Sequence, residues 1–184
     1  YSIDIDFNFK FFIVVNIYKM KIYLITHKES TTITQSLNRY KELGYEPIIH
    51  NGLNINEDLI DKNQVCYLNF LNVLEKDNGE EDIIISEDDV YLNEKIEILN
   101  KDKMNWLGFW RHNKTELCGS MVIYIPKQLL PHVIRQFKSK TPCHLDYFLK
   151  KYMDCIVRSE TICKELQHHS VIDGKTRSHQ NILL

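Results

Sequence analysis

The sequence has little of what marks several large classes of protein. Its net charge at pH 7 is only -2, so it offers no overall attraction to nucleic acid or to a membrane surface. Its five cysteines form no CxxC pair, which argues against a zinc knuckle. Their odd number suits a reducing compartment, where thiols serve as small core residues. No internal repeat, low-complexity tract or interdomain linker is visible. The 184 residues, 43% of them apolar, suffice for one domain with a real core.

An apolar run near the N-terminus, Phe11–Ile17, is too short to span a bilayer, and no small-residue cleavage site follows it. Met20 directly precedes a strong predicted strand. We therefore predict residues 1–19 to be an N-terminal extension or an extra strand, and residues 20–184 to be one domain. Heavy use of Ile, Asn and Lys indicates an AT-rich genome, such as that of a virus, a phage or an AT-rich bacterium. We expect a protein of the cytoplasm of a bacterium or of an infected host cell.

Strands and helices alternate through the first half of the predicted domain. This order favours an α/β fold with a mostly parallel, Rossmann-like central sheet flanked by helices. Ligands tend to bind at the carboxyl edge of such a sheet. Strands are predicted at Lys21–Thr26, Glu46–His50, Asp82–Ser86, 106–110 and 120–125, and helices at Thr31–Leu43, Val65–Lys76, 127–138 and 144–153.

Three acidic residues, Glu87, Asp88 and Asp89, directly follow the buried third strand. Ionised carboxylates cannot continue into a core, so the chain must reach the surface here. The adjacent charges repel, and a divalent cation would offset that repulsion. Carboxylate oxygens suit Mg²⁺ or Mn²⁺, which also hold substrate phosphates. A solvated acidic turn is the alternative, but the position at the end of an aliphatic strand favours metal-dependent transfer with a nucleoside diphosphate as leaving group.

Two other uses of these acids stay open. A phosphoryl-transfer enzyme or nuclease also places acids and Mg²⁺ at a strand end, but normally draws further acids from neighbouring strands. The other acid run, Glu80–Asp82, lies at the opposite end of the same predicted strand. A non-catalytic module that binds a nucleotide or a glycan is the third hypothesis.

The acids lie inside a longer pattern that resembles glycosyltransferase family 25, the lipooligosaccharide and procollagen galactosyltransferase group. The resemblance runs from about Lys21 to about Gln180. The family's Ser-His pair is replaced by Asn69-Phe70. The matching segments are the strand–helix–strand unit of residues 21–52, the helix Val65–Glu75, the motif Ile85–Val90, the strand Gly119–Tyr124, and Asp146 within the apolar segment His144–Leu149.

The resemblance implies a GT-A fold, a nucleotide-sugar donor (often a UDP-sugar), and Mn²⁺ or Mg²⁺. On that basis Asp89 is the expected metal ligand. Glu87 is expected to contact ribose or metal-bound water, and Asp88 to contact ribose or the donor sugar. GT-A enzymes commonly take a further ligand from near the C-terminus, and imidazole is a competent one. The remaining candidates are Thr26 and His27 near the nucleotide base, His168 and His169 for the metal, and Lys175 and Arg177 for the diphosphate.

Asp146 is the candidate general base. An inverting transfer needs a carboxylate that removes the proton of the acceptor hydroxyl, and the apolar neighbours of Asp146 would make it a better base. The alternative is an acid that only stabilises the start of its helix.

The candidate acceptor-binding residues are Trp110, Arg111 and His112, since an aromatic face can stack on a sugar ring. Trp106 and Phe109 of the same strand are predicted more as core. We expect the acceptor to be a glycan or another hydroxyl compound. The alternative acceptor is a modified base of phage or viral DNA, for which a modest basic patch would come from Lys138, Lys140, Lys150 and Lys151.

Overall fold

The computed structural model describes residues 20–27, 30–53, 64–112, 116–166, 168–169 and 176–177. The predicted N-terminal extension, residues 1–19, lies outside this part of the chain. The strands are β1 (Met20–Thr26), β2 (Ile48–Asn51), β3 (Asp82–Glu87), β4 (Val90–Leu92), β5 (Met104–His112), β6 (Glu116–Ile125), β7 (Cys155–Val157), β8 (Cys163–Glu165), β9 (His168–His169) and β10 (Thr176–Arg177). The helices are α1 (Ile33–Glu42), α2 (Val65–Lys76), α3 (Leu130–Ser139) and α4 (Leu145–Tyr152).

Six strands form the central sheet, in the order β2-β1-β3-β6-β5-β7. β1 is parallel to β2 and β3, β6 is antiparallel to β3 and β5, and β7 is parallel to β5. All but β6 therefore run in one direction, which confirms the predicted α/β fold with a mostly parallel sheet. Two small ribbons, β4–β8 and β9–β10, lie beside it. The carboxyl ends of β1, β2, β3 and β5 meet at one edge.

Most predicted elements recur with small changes at their ends. α2 has the predicted bounds, and β3 is one residue longer than predicted, so Glu87 belongs to the strand. The helix predicted at 127–138 opens instead as a 3-10 turn, Lys127–Leu129, and α3 follows it. Pro131 fits the first turn of α3, where its missing N–H costs no helical hydrogen bond. No helix in the described residues is long and apolar enough to cross a membrane.

The sheet is apolar on both faces. Ile83 and Ile85 of β3 pack into a cluster with α2, α3 and α4, whereas Ile84 packs into a second cluster with α1, β4 and β8. All three isoleucines are 1% exposed or less. A strand covered on both faces reads as a continuous apolar run, and this explains the sequence of β3.

At the amino edge of the sheet, acidic side chains serve the fold. Asp82 accepts hydrogen bonds from the Tyr124 hydroxyl at 2.7 Å and the Lys127 amide at 2.8 Å. Asp77, whose side chain is only 1% exposed, lies 3.1 Å from the Lys21 ammonium and accepts a hydrogen bond from the Tyr23 hydroxyl at 2.6 Å. These two carboxylates tie α2 and the turn before α3 to the sheet.

The Asp77 carboxylate predicts a loss of stability in acid. Burial opposes its ionisation, but the hydrogen bonds from Tyr23, the Gly79 amide and Lys21 lower its pKa below the usual 3.8. Its stabilising effect is therefore complete above pH 3.8 and is lost as the pH falls through the lower pKa of the folded state. In urea unfolding, Asp77→Asn is expected to be less stable than the wild type by about 1–3 kcal/mol at pH 7. The difference should shrink as the pH is lowered, and a constant difference would contradict the assignment.

Candidate active site

The carboxyl edge of the sheet gathers most of the residues singled out in the sequence. β1 ends there at Thr26, followed by His27, and β3 ends there at Glu87, followed by Asp88 and Asp89. β5 reaches the same edge with Trp110, Arg111 and His112, because it runs in the same direction. We call this the site edge, and define it by Thr26–His27, Asn51–Gly52, Glu87–Asp89 and Trp110–His112.

The acidic segment Glu87–Asp89 is held by contacts from other elements. The Ser36 hydroxyl of α1 donates to the Val90 carbonyl at 2.7 Å, and the Leu166 amide donates to the Asp89 carbonyl at 2.6 Å. Arg39 of α1 donates through Nε to the Leu92 carbonyl at 2.6 Å. Arg39 thus supports the backbone that follows the acids, and the contact fixes the path of the chain out of the site edge.

The three acids do not share one environment. The Asp88 carboxylate accepts a hydrogen bond from the Thr26 hydroxyl at 2.6 Å, on the β1 side. Asp89 is bonded instead, through its backbone carbonyl, to Leu166 after β8. Burial raises the pKa of the Cys163 thiol to about 12, with the Thr161 hydrogen bond acting against the rise and the charges of Asp89, Glu87 and Glu165 adding to it. Asp89 is nearly buried, with 9% of its surface exposed.

Glu165 is an acid of the site edge that the sequence analysis missed. It is the last residue of β8, and it pairs with Val90 in the antiparallel β4–β8 ribbon. This pairing puts it beside the residue that follows Asp89. No local pattern marks Glu165, because its position depends on a strand pair whose members are far apart in the sequence.

The chain after β8 brings the C-terminal candidate residues close to Asp89. His168 comes two residues after Leu166, so at most about 7 Å of chain separates it from the amide that bonds to Asp89. β9 then pairs with β10, and Arg177 lies opposite His168. The backbone thus brings together the predicted metal ligands, His168 and His169, and the predicted diphosphate ligand Arg177. Lys175 lies outside the described residues.

The chemistry of these side chains fits a divalent cation. Among residues whose side chains the structure describes, no group of three His, Cys, Asp or Glu has the geometry of a metal site. Mg²⁺ usually takes only one or two carboxylates, with waters and substrate phosphates completing its shell. Asp89 supplies one carboxylate of the right kind, and His168 and His169 follow Leu166, which bonds to the Asp89 carbonyl.

A second group of side chains shapes the site edge between β1 and β2. The Gly52 amide donates to the Thr26 carbonyl at 2.7 Å, and the buried Asn69 side chain accepts from the Leu53 amide at 2.7 Å. A Cβ on Gly52 would come within 3.0 Å of both Asn69 and His27. Asn69, seen in the sequence only as a departure from the family pattern, therefore holds the loop after β2 close to His27.

Asp146 lies in the first turn of α4, and its carboxylate accepts a hydrogen bond from the Tyr147 amide at 2.9 Å. Lys150, one turn later on the same helix face, lies 3.9 Å from the Glu116 carboxylate. Glu116 pairs with His112, so this face of α4 approaches the strand ends that carry the acceptor candidates. Asp146 lies on the same face of α4, one turn before Lys150.

The aromatic residues of β5 divide between core and site edge. Trp106 and Phe109 are 1% and 2% exposed, as predicted for core residues. Trp110 is half-buried and packs against Gly119, where an added Cβ would come within 2.9 Å of its ring. The backbone of Gly119 has φ +70°, so both its conformation and its space favour glycine.

The lysines of the predicted basic patch either form ion pairs with glutamates or lie over aromatic rings. Lys138 pairs with Glu75 at 2.7 Å and Lys150 with Glu116 at 3.9 Å. Lys140 lies over the Tyr152 ring, and Lys151 lies over the rings of Tyr147 and Tyr152. This arrangement gives no support to DNA as an acceptor.

The chain matches no protein-family model and no curated protein sequence. Its fold is that of the GT-A glycosyltransferases. A glycosyltransferase involved in glycosylation of the major capsid of PBCV-1 superposes with a TM-score of 0.51 at 13% identity, over 75% of this chain and 81% of that one. Drosophila β-1,4-galactosyltransferase 7, in a mutant complex with manganese, UDP-Gal and xylobiose, superposes with a TM-score of 0.53 at 7% identity, over 90% of this chain and 78% of that one.

Proposed function

We propose that the chain is a glycosyltransferase that moves a sugar from a nucleotide-sugar, with a UDP-sugar as the first candidate, to a hydroxyl acceptor such as a glycan. The observation that carries the proposal is the placement of Glu87–Asp89 at the carboxyl edge of a GT-A sheet, with the C-terminal segment bonded to Asp89 through Leu166. The similar structures, one of them bound to manganese and UDP-Gal, support it. Membership of glycosyltransferase family 25 stays a prediction from the sequence.

The donor would lie across the site edge. Asp89 and the histidines 168 and 169 would hold Mn²⁺ or Mg²⁺, with Glu87 at the ribose or at metal-bound water. When bound, this ion neutralises the charge that develops on the departing diphosphate. Arg177 and Lys175 would add positive charge at the diphosphate. His27, beside Gly52 and Asn69, would face the nucleotide base.

The proposed chemistry is a single displacement with inversion. The acceptor oxygen attacks the anomeric carbon, and the bond from that carbon to the diphosphate oxygen breaks. The electron pair of that bond leaves with the nucleoside diphosphate, and Asp146 takes the proton of the acceptor hydroxyl. The position of Asp146 on the α4 face that approaches the β5–β6 end supports this role, because the acceptor candidates Trp110, Arg111 and His112 lie at the same end.

Donor binding and turnover test the function in one experiment. UDP-hexoses with Mn²⁺ are expected to raise the melting temperature of the wild type, since a ligand that binds only the folded state stabilises it. The wild type should also release UDP slowly from the cognate donor, with water as acceptor. Asp146→Asn is expected to keep the thermal shift and to lose about 100-fold or more of this turnover.

The controls separate the alternatives. EDTA should abolish both the thermal shift and the turnover of the wild type. A shift without turnover in any acceptor screen would identify a non-catalytic binding module, and release of inorganic phosphate in place of UDP would identify a phosphoryl-transfer enzyme. Absence of both binding and turnover across the donors would refute the proposed function.

A further inference from the structure

The hydrogen bond between Thr26 and Asp88 separates one acid of the site edge from the other two. Asp88 faces β1 through this bond, whereas the Asp89 carbonyl accepts a hydrogen bond from the Leu166 amide, after β8. Glu87 is the last residue of β3 and continues the face of Ile85, which packs against α2, α3 and α4. The acids therefore have different surroundings, although their sequence gives no sign of a division.

Thr26 is well placed to fix the orientation of Asp88. Its side chain is 6% exposed, and its hydroxyl oxygen lies 2.6 Å from Oδ2 of Asp88 but 3.3 Å from the His27 carbonyl. A hydroxyl has one proton to donate, and the shorter contact to a charged acceptor is the stronger one. Thr26 also lies in an interior strand, paired with Asn51 of β2, and its β-branched side chain is stiff at χ1. Its burial and its stiff side chain leave the Thr26 hydroxyl few other orientations.

A carboxylate held in this way has acceptor capacity left over. An ionised aspartate can accept about four hydrogen bonds, and Thr26 uses one of them at Oδ2. Asp88 is part-exposed at the site edge, so its other oxygen can accept a hydrogen bond from a ligand hydroxyl. The cation is assigned to Asp89, because its carbonyl is bonded to Leu166, just ahead of His168 and His169.

We propose that Thr26 is a positioning residue that aims Asp88 at a hydroxyl group of the nucleotide-sugar donor, while Asp89 serves the cation. The inference rests on the proposed function and assigns different parts of the donor complex to neighbouring acids. The hydroxyl belongs to the ribose or to the transferred sugar, and both share the chemistry that a fixed carboxylate recognises. Thr26 itself acts through Asp88 and does not contact the base.

The test compares Thr26→Val, Thr26→Ser and the control Ser36→Ala. Valine keeps the shape of threonine without its hydroxyl, and serine restores the hydroxyl. Ser36→Ala removes a hydroxyl that donates to the Val90 backbone carbonyl, next to the same acids, rather than to a carboxylate. Binding of Mn²⁺ alone, of UDP with Mn²⁺ and of UDP-hexoses with Mn²⁺ is measured by calorimetry, together with kcat and KM for donor hydrolysis.

Thr26→Val is expected to weaken donor binding and raise KM by about tenfold, the size of effect expected for a hydrogen bond to a charged group. Its affinity for Mn²⁺ alone should stay within about twofold of the wild type, because Thr26 is not among the proposed cation ligands. Thr26→Ser should recover most of the donor affinity. Ser36→Ala should lower the melting temperature without a selective loss of donor affinity.

The two ligand groups give different results. Weaker binding of UDP by Thr26→Val identifies a ribose hydroxyl, and unchanged UDP binding with weaker UDP-hexose binding identifies a sugar hydroxyl. Unchanged donor binding in Thr26→Val, or an equal loss of Mn²⁺ and donor affinity, overturns the inference while leaving the proposed function standing. A wild type that binds no nucleotide-sugar overturns the function itself.

Discussion

Asp89→Asn is expected to abolish measurable sugar transfer while the protein stays folded. If Asp89 is the principal cation ligand, its loss removes charge stabilisation worth several kcal/mol in the transition state, which corresponds to about 100-fold or more in rate. Stability should not fall, because asparagine has nearly the same shape and one of several neighbouring negative charges disappears. The Leu166 amide still finds its acceptor, since that bond is to the backbone carbonyl of residue 89. Donor hydrolysis and thermal unfolding, measured on the same sample, check both halves of the prediction.

Asp82→Asn is the matched control for Asp89→Asn, since it makes the same chemical change at the other end of β3. Asp82 accepts hydrogen bonds from Tyr124 and from the Lys127 amide, so the control should lower the melting temperature. Its turnover at low temperature should match the wild type, because Asp82 lies at the amino edge. Full activity of Asp89→Asn would remove the metal assignment, and an equal loss of activity in both variants would point to a general effect on the fold.

Gly108→Ala is expected to have the largest effect on stability. Gly108 lies in β5 where the segment 161–163 crosses the strand, with the Ile162 amide donating to the Leu107 carbonyl at 3.1 Å. A Cβ at residue 108 would lie 2.6 Å from Cγ2 of Val122 and 2.8 Å from Sγ of Cys163. Overpacking of this kind costs about 1–3 kcal/mol, or roughly 2–12 °C in melting temperature for a domain of this size. Donor binding should weaken as well, because β8 leads directly to Leu166, whose amide bonds to the Asp89 carbonyl.

Two further variants check the cause. Gly44→Ala places a Cβ in open space but keeps a left-handed backbone, with φ +87°, so it measures the conformational cost alone, about 1–2 kcal/mol. It should leave donor binding unchanged. Adding Val122→Ala to Gly108→Ala makes room for the new methyl group and should recover part of the lost melting temperature. A double variant that is simply the sum of two losses would show that crowding is not the cause.

The elements that the sequence predicts well are those with a long local signal. α2 carries apolar residues at helical spacing over 12 residues, and β3 is a continuous aliphatic run between acidic ends. β4, β7 and β8 have three residues each and were not predicted. Such short strands have no periodicity of their own and form because a distant partner is present. The α/β order was therefore readable, whereas the ribbon that completes the site edge was not.

The candidate site was likewise predictable only in part from the sequence. Glu87, Asp88 and Asp89 were identifiable because charge follows a buried strand abruptly, and their common location with Thr26 and His27 follows from parallel strands. What each acid faces could not be predicted, since side-chain direction at a strand end depends on which residues approach from β1 and β8. Glu165 could not be found for the same reason. The close packing around Gly108 could not be predicted either, because no local pattern shows which segment crosses a strand.

The hydrogen bond from the Leu166 amide to the Asp89 carbonyl means that the site edge is completed late during synthesis of the chain. β1, β2 and β3 leave the ribosome early, so the acids of the site edge exist long before the residues that hold them in place. Donor binding can begin only once residues 163–166 have emerged and β8 has paired with β4. A nascent chain whose residues up to 162 have emerged from the ribosome should contain a largely formed sheet. It should nevertheless fail to retain a nucleotide-sugar.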